Sequence, residues 1–244
     1  MNITVGLFDN MVVQRDHLLY ATVRLRGSCH PNGCLLATVL KNRKPLAEFT
    51  RIAIGTSRRG VLTGILKKLS VGGPYDIELT LVDEAEETLN TKVVHNVLVG
   101  DVWMLGGQSN MAGCGNLEPR QHLLAPNKQV RAFYQDDHWD VAQDPLHLPE
   151  TAKAEAHALI GYAWRRPEIG AGLGVAFGQR MLKLTAGVPQ GLIASAQGAT
   201  SLGQWSQKKK REGTRSLYGA MLDRLRKKRV YNIAVTYPAS RSNT

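Results

Sequence analysis

The chain has 244 residues, 43% of them apolar, with 24 glycines and 10 prolines; this composition excludes wholesale disorder, collagen and coiled coil. No apolar stretch approaches the ~18 residues of a membrane-spanning helix, and Met1-Asn2-Ile3-Thr4 opens no basic-then-apolar segment, so no signal peptide is expected. The formal charge is +11, and +8 of it falls between Lys208 and Arg229, where ten Lys or Arg face only Glu212 and Asp223. Basic stripes can track phosphates, but no zinc-finger spacing or aromatic RNA-binding pattern accompanies these, so no nucleic-acid partner is expected. They read as a solvated loop followed by the exposed face of a helix.

Taken in order, residues 1–96 read as β structure. His17–Leu25 and Leu35–Leu40 are strand-like and flank the turn His30-Pro31-Asn32-Gly33. Beyond Gly73-Pro74, Tyr75, Ile77, Leu79 and Leu81 share one face at period two. Short strands with turns at this spacing predict a small β-sandwich. Cys29 and Cys34 could pair across a hairpin or serve as small apolar residues at strand ends; no second ligand pair follows, so they are no zinc site.

The pattern changes after Asn96. Val97–Leu105 is a near-continuous apolar run, as expected of a strand buried on both faces of a parallel sheet. It stops at Gly106-Gly107-Gln108-Ser109-Asn110, a strand-to-helix turn of the kind at which open α/β sheets bind ligands. Residues 116–171 read as loop-rich, with five prolines. An amphipathic helix is predicted over Gly172–Ala186, capped by Gly187. A second buried strand, Gly191–Ser195, ends at Gln197-Gly198-Ala199-Thr200-Ser201. Leu217, Met221 and Leu225 mark a further helix, and Val230–Tyr237 a third strand.

Ser109 is the first candidate for chemistry. A serine hydroxyl attacks a carbonyl only when a base removes its proton and donors hold the resulting oxyanion. A turn beyond a buried strand exposes the hydroxyl and aims backbone N–H groups at one point; Gly198 occupies the equivalent turn of the next strand. Cys114, five residues on, reads as a small buried filler, since no activating partner is apparent.

These segments carry a resemblance. Gly100-Asp101-Val102-Trp103-Met104-Leu105-Gly106-Gly107-Gln108-Ser109-Asn110-Met111 resembles the first block of the sialate O-acetylesterase family, the carbohydrate-esterase branch of the SGNH hydrolases. Gly191–Trp205 is similar to its second block, Leu7–Arg15 to the opening of the β domain that precedes the esterase domain in many members, and Ser216–Met221 to the helix after block two. The resemblance runs from about residue 6 to 226. It implies an α/β fold with an SGNH/flavodoxin-like three-layer α/β/α esterase domain over 97–244, preceded by a β-sandwich domain over 1–96. It implies removal of an acetyl group from a sugar hydroxyl through an acyl-enzyme, with an acetylated carbohydrate as substrate and no cofactor or metal. Ser109 would be the nucleophile, Gly198 N–H an oxyanion donor, and Gln108, Asn110, Gln197 and Thr200 would shape the substrate pocket.

The departures are also informative. The family's second glycine is Ala199 here. The family supplies its base from a C-terminal Asp-x-x-His, whereas all seven histidines, from His17 to His157, precede Ser195. Asp144-Pro145-Leu146-His147 spells that pattern, but between the first two blocks rather than after the last strand. Residues after Tyr237 are unlike the family's third block, so a frameshifted or truncated product, poorly soluble alone, is expected. The alternatives are a glycan-binding or relic protein without turnover and, less in keeping with the motifs, a basic nucleic-acid binder.

Overall fold

The computed structural model describes residues 1–161, 168–228 and 234–235. Two compact units divide near Asp101. The first contains β1 (Asn2–Val5), β2 (Val12–Gln14), β3 (Tyr20–Ser28), β4 (Gly33–Lys41), β5 (Lys44–Pro45), β6 (Ile52–Arg58), β7 (Val61–Ser70), β8 (Gly72–Val82) and β9 (Thr88–Leu105) up to Asp101. Its strands are ordered β1-β3-β7-β6-β4-β8-β9; β5 pairs with β4, and β2 runs parallel to β9. Every other neighbouring pair on this path is antiparallel.

Alternation explains these strands. In β3, Ala21, Val23 and Leu25 are buried while the residues between them are exposed, the period-two pattern of a sheet with one dry face. Tyr75, Ile77, Leu79 and Leu81 are all buried, as their spacing predicts. Residues 17–19 are turn rather than strand, so β3 starts at Tyr20. β6 and β7, not anticipated from sequence, meet at Arg59-Gly60, both with positive φ (49° and 79°). Positive φ at both central residues is the signature of a two-residue hairpin turn whose twist matches the strands. Cys29 and Cys34 are free thiols, the first buried.

The second unit takes the end of β9 from Val102 and adds α1 (Ser109–Ala112), β10 (Gly115–Asn116), β11 (Val130–Phe133), β12 (Trp139–Val141), α2 (Glu155–Gly161), β13 (Ile169–Ala171), α3 (Leu173–Leu184), β14 (Gln190–Ala194), α4 (Leu217–Lys228) and β15 (Ala234–Val235). Its sheet follows the order β9-β14-β11-β12. β11 and β14 are parallel, with Val130 opposite Gln190 and Phe133 opposite Ile193; β12 returns antiparallel. All five residues of β14 are buried, which is why its sequence is apolar without alternation. β15 pairs in parallel with Trp103 and Met104; the rest of the predicted third strand, Tyr237 included, lies outside the described residues. Within the loop-rich stretch 116–171 the structure adds the short elements β11, β12, α2 and β13, which the sequence did not mark.

The helix predicted over Gly172–Ala186 forms as α3. It packs closely because Gly178 has no side chain: a Cβ there would sit 2.7 Å from Val130 Cγ1 and 3.2 Å from Leu192 Cδ1. Leu105, Val130, Ala132, Leu146, Val175 and Leu192 share the core beneath it. The basic run also needs correction. Arg224 belongs not to an exposed face but to the interior, at 2% exposure. Its guanidinium donates to the carbonyls of Phe133 (2.8 Å) and Tyr134 (2.6 Å) and to Asp137 Oδ1 (3.0 Å), and lies 4.3 Å from the Phe133 ring centre. A planar fork of donors can satisfy several acceptors at once where a point charge cannot.

Candidate active site at the ends of β9 and β14

Two backbone hydrogen bonds carry the β9–β14 pairing past the strands. Ser195 N–H donates to the Leu105 carbonyl (3.1 Å), and Gln197 N–H to the Gly107 carbonyl (3.0 Å). The turn holding Ser109 and the turn holding Gly198 are thereby tied side by side. Gly107, at φ +146°, makes the first bend. The next residues wind into α1: Met111 and Ala112 N–H both donate to the Gln108 carbonyl, and the buried Met111 side chain anchors the turn in the core. Gln108, Ser109 and Asn110 are exposed at its head. Gly198 is half-buried, and a Cβ placed there would meet nothing within 4 Å, so its surroundings are open.

Of the other candidate residues, Asn110 accepts a hydrogen bond from the Cys114 thiol (Sγ–Oδ1 3.3 Å). Cys114 is exposed, which corrects its reading as a buried filler: α1 ends at Ala112, so the side chain has no core to enter. Gln197 and Thr200 are buried and engaged inside the turn. Thr200 Oγ1 donates to the Gln197 carbonyl (2.8 Å) and accepts from the Trp205 indole (3.0 Å). Ala199 adopts φ +56°, a left-handed conformation that costs a residue with a Cβ about 1 kcal/mol; the family's glycine at this position avoids that cost.

Behind the second turn lies a buried polar cluster. His157 on α2 places Nδ1 3.0 Å from Gln197 Oε1 and 3.3 Å from Gln135 Nε2, and Gln135 Nε2 also donates to the Ala196 carbonyl (3.3 Å). His157 Nε2 is buried with no partner. Burial pushes His157 down to about 4, against a raising effect of its Gln197 hydrogen bond and with Arg224 adding to the depression. His147 is pushed down to about 3 by burial, with His157 and Arg224 lowering it further, while it hydrogen-bonds the Leu105 backbone. Both rings are neutral near pH 7. Burial also raises the Asp144 carboxyl, which accepts from Gly172 N–H (3.3 Å); Asp144 and His147 thus serve separate backbone groups.

Among the described residues, none hydrogen-bonds the Ser109 hydroxyl, and no three His, Cys, Asp or Glu side chains group as metal ligands. No described helix is long and apolar enough to cross a membrane. Sequence reasoning missed His157, Gln135 and Arg224. A lone His in Ala154-Glu155-Ala156-His157 has no distinguishing spacing, and Arg224 is masked by its basic neighbours. A groove of about 470 Å³ in the first unit, with Arg58, Arg59, Asp83 and Glu84 in its walls, contains none of the proposed catalytic or substrate-pocket residues.

No curated protein matches the chain. A crystal structure of a carbohydrate acetylesterase from Xanthomonas citri is similar with a TM-score of 0.58 at 20% identity, over 96% of this chain and 50% of that one. The chain therefore spans about half the length of that protein, and the likeness establishes a mixed α/β fold with a large sheet and few helices. The model of the carbohydrate esterase family of sialic acid-specific acetylesterases matches residues 99–236, more than half of the 244, and includes both turns. By that match the chain belongs to the carbohydrate esterase, sialic acid-specific acetylesterase family.

Proposed function

We propose that the second unit is a serine esterase domain that cleaves acetyl esters of sugar hydroxyls, of the sialate type, with Ser109 as nucleophile. The observation that carries this reading is the pair of bonds from Ser195 to Leu105 and from Gln197 to Gly107, which sets an exposed serine beside the open backbone of Gly198. In the proposed reaction Ser109 Oγ bonds to the acetyl carbon and its proton leaves to a base. The carbonyl oxygen becomes an oxyanion held by the N–H groups of Ser109 and Gly198. The tetrahedral adduct then collapses, the sugar oxygen departs with a proton, and water releases acetate from Ser109 by the same route. Donors placed where charge develops lower the barrier without first reorganising.

We further read this unit as the SGNH-like three-layer α/β/α domain and the first unit as a small β-sandwich, with boundaries near 97. The alternating burial of the first and the β9-β14-β11 core of the second, with β14 and β11 parallel, support that division. His147 and His157 are buried, neutral and engaged elsewhere, so neither is assigned as the base. An oxyanion site alone retains roughly 10³–10⁴-fold acceleration over water. Hydrolysis of an activated acetyl ester and of O-acetylated sialic acid by the purified chain, against Ser109→Ala, tests the reading. Loss of turnover in the variant is expected. Equal rates would remove Ser109 from the chemistry, and affinity for acetylated sugar without acetate release would favour glycan binding instead.

A further inference from the structure

We propose that His157 is a positioning residue for the proposed acetylesterase site: its Nδ1–H holds Gln197, and through Gln197 fixes the backbone from which Gly198 presents its N–H. The inference rests on the reading of Gly198 as an oxyanion donor.

The geometry around Gln197 supplies the argument. Its main-chain N–H donates to the Gly107 carbonyl, its carbonyl accepts from Thr200 Oγ1, and its side-chain oxygen faces His157. Three separate partners therefore hold the one residue that precedes Gly198. Gln135 adds a fourth restraint by donating to the carbonyl of Ala196. With Gln197 only 4% exposed, its side chain is not presented to solvent, and holding the turn is the role its contacts define. Gly198 itself is conformationally free and has open space beside it, so the direction of its N–H depends on how firmly Gln197 is held.

The proton assignment follows from the partners. Gln197 Oε1 only accepts, and at 3.0 Å it lies nearer His157 Nδ1 than the competing donor Gln135 Nε2 does at 3.3 Å, so we place the hydrogen on Nδ1. The other ring nitrogen, Nε2, then carries only a lone pair, consistent with its having no partner. Gln135 Nε2 directs its donation to the Ala196 carbonyl. Nothing in this arrangement brings His157 to the reacting atoms; it acts through another residue.

Three measurements on the full chain test the inference. In the wild-type protein, two-bond ¹⁵N–¹H correlations report the His157 tautomer: a hydrogen on Nδ1 is expected, and a hydrogen on Nε2 alone overturns the proposal without any variant. Amide exchange then compares His157→Phe, which keeps a ring but loses the donor, with His157→Asn, whose side-chain amide occupies the place of Nδ1–H. The Gln197 amide is expected to exchange about 10-fold faster in the Phe variant, with a displaced Gly198 amide resonance and near-wild-type behaviour in the Asn variant. Equal exchange and an unmoved Gly198 resonance in both variants overturn it. If His157→Phe does not fold, Gln197→Met, which removes the acceptor from the other side, gives the same comparison.

Kinetics with an acetyl ester supply the last readout. His157→Phe should lower kcat by about 10- to 100-fold with KM little changed, because oxyanion donors act in the transition state; His157→Asn should recover most of it. A rise in KM at constant kcat counts against the proposal. If wild type and Ser109→Ala turn over equally, the esterase reading fails, while tautomer and exchange still decide whether His157 holds the turn.

Discussion

Acidification should destabilise the second unit through its two buried imidazoles. In the folded chain His157 titrates at about 4 and His147 at about 3, both held down mainly by burial. In the unfolded chain each titrates at about 6.5. The folded values are the lower ones, so the stability they support is complete above about pH 6.5. It is lost as pH falls from there toward the folded values, because only the unfolded chain takes up the protons. Between about pH 7.5 and pH 5 the loss is about 2 kcal/mol per ring, or about 4 for the pair, from 1.5 pH units at 1.36 kcal/mol each. A typical domain has only about 5–15 kcal/mol in all. Around these rings stand Arg224, ion-paired to Asp137, and each ring itself; protonating either would place a second cation near the guanidinium. Asp144, raised by burial, works in the opposite direction and gains stability in acid, so the decisive quantity is a difference between variants. All four tryptophans, Trp103, Trp139, Trp164 and Trp205, fall between Val102 and Arg226 of the sequence, and urea unfolding followed by their fluorescence reads this unit. His147→Asn and His157→Asn should each reduce the loss between the two pH values by about 2 kcal/mol. Identical pH dependence in wild type and both variants would refute the reasoning.

Other substitutions probe the packing around the site. Arg224→Leu removes the buried donations to the Phe133 and Tyr134 carbonyls and the half-buried pairing with Asp137, and should cost about 3–5 kcal/mol in urea titrations; Arg224→Lys should recover little, since an ammonium cannot span the same fork. Gly178→Ala should destabilise by about 1–3 kcal/mol, the clash with Val130 and Leu192 outweighing the gain in helix propensity, and a rise in Tm would contradict the close approach. Ala199→Gly relieves a left-handed alanine and should leave stability unchanged or raise it by up to about 1 kcal/mol; a loss above that range would mean that the alanine methyl has a packing role.

What could be read beforehand follows from which forces act locally. β4, β8, β14 and α3 were legible because their burial repeats at period two, is continuous, or repeats at helical spacing. The hairpin at Arg59-Gly60 was not, because only its glycine belongs to the residues that ordinarily mark such turns, and Arg59 takes positive φ through the pairing of the strands around it. β11 and β12 were hidden among prolines and charges: Arg131 is buried against expectation for its type, so tertiary pairing with β14 decides there. The turns at Ser109 and Gly198 were found through their family blocks, but their tie through Gln197 and Gly107 is a non-local backbone bond with no sequence signature. The same holds for the His157–Gln197 pair, separated by 40 residues.

The tie between the two turns also sets an order of events during synthesis. Gly107 and Gln197 are about 90 residues apart, and Ser109 leaves the ribosome long before β14 does. Until β14 docks along β9, the serine turn has no neighbouring donor strand, and a nascent or partly folded chain exposes an ordinary, unreactive hydroxyl. Closing so long a loop is slow relative to forming α3 or the β6–β7 hairpin. The proposed activity should therefore appear late in refolding, after most secondary structure is in place and together with burial of β14.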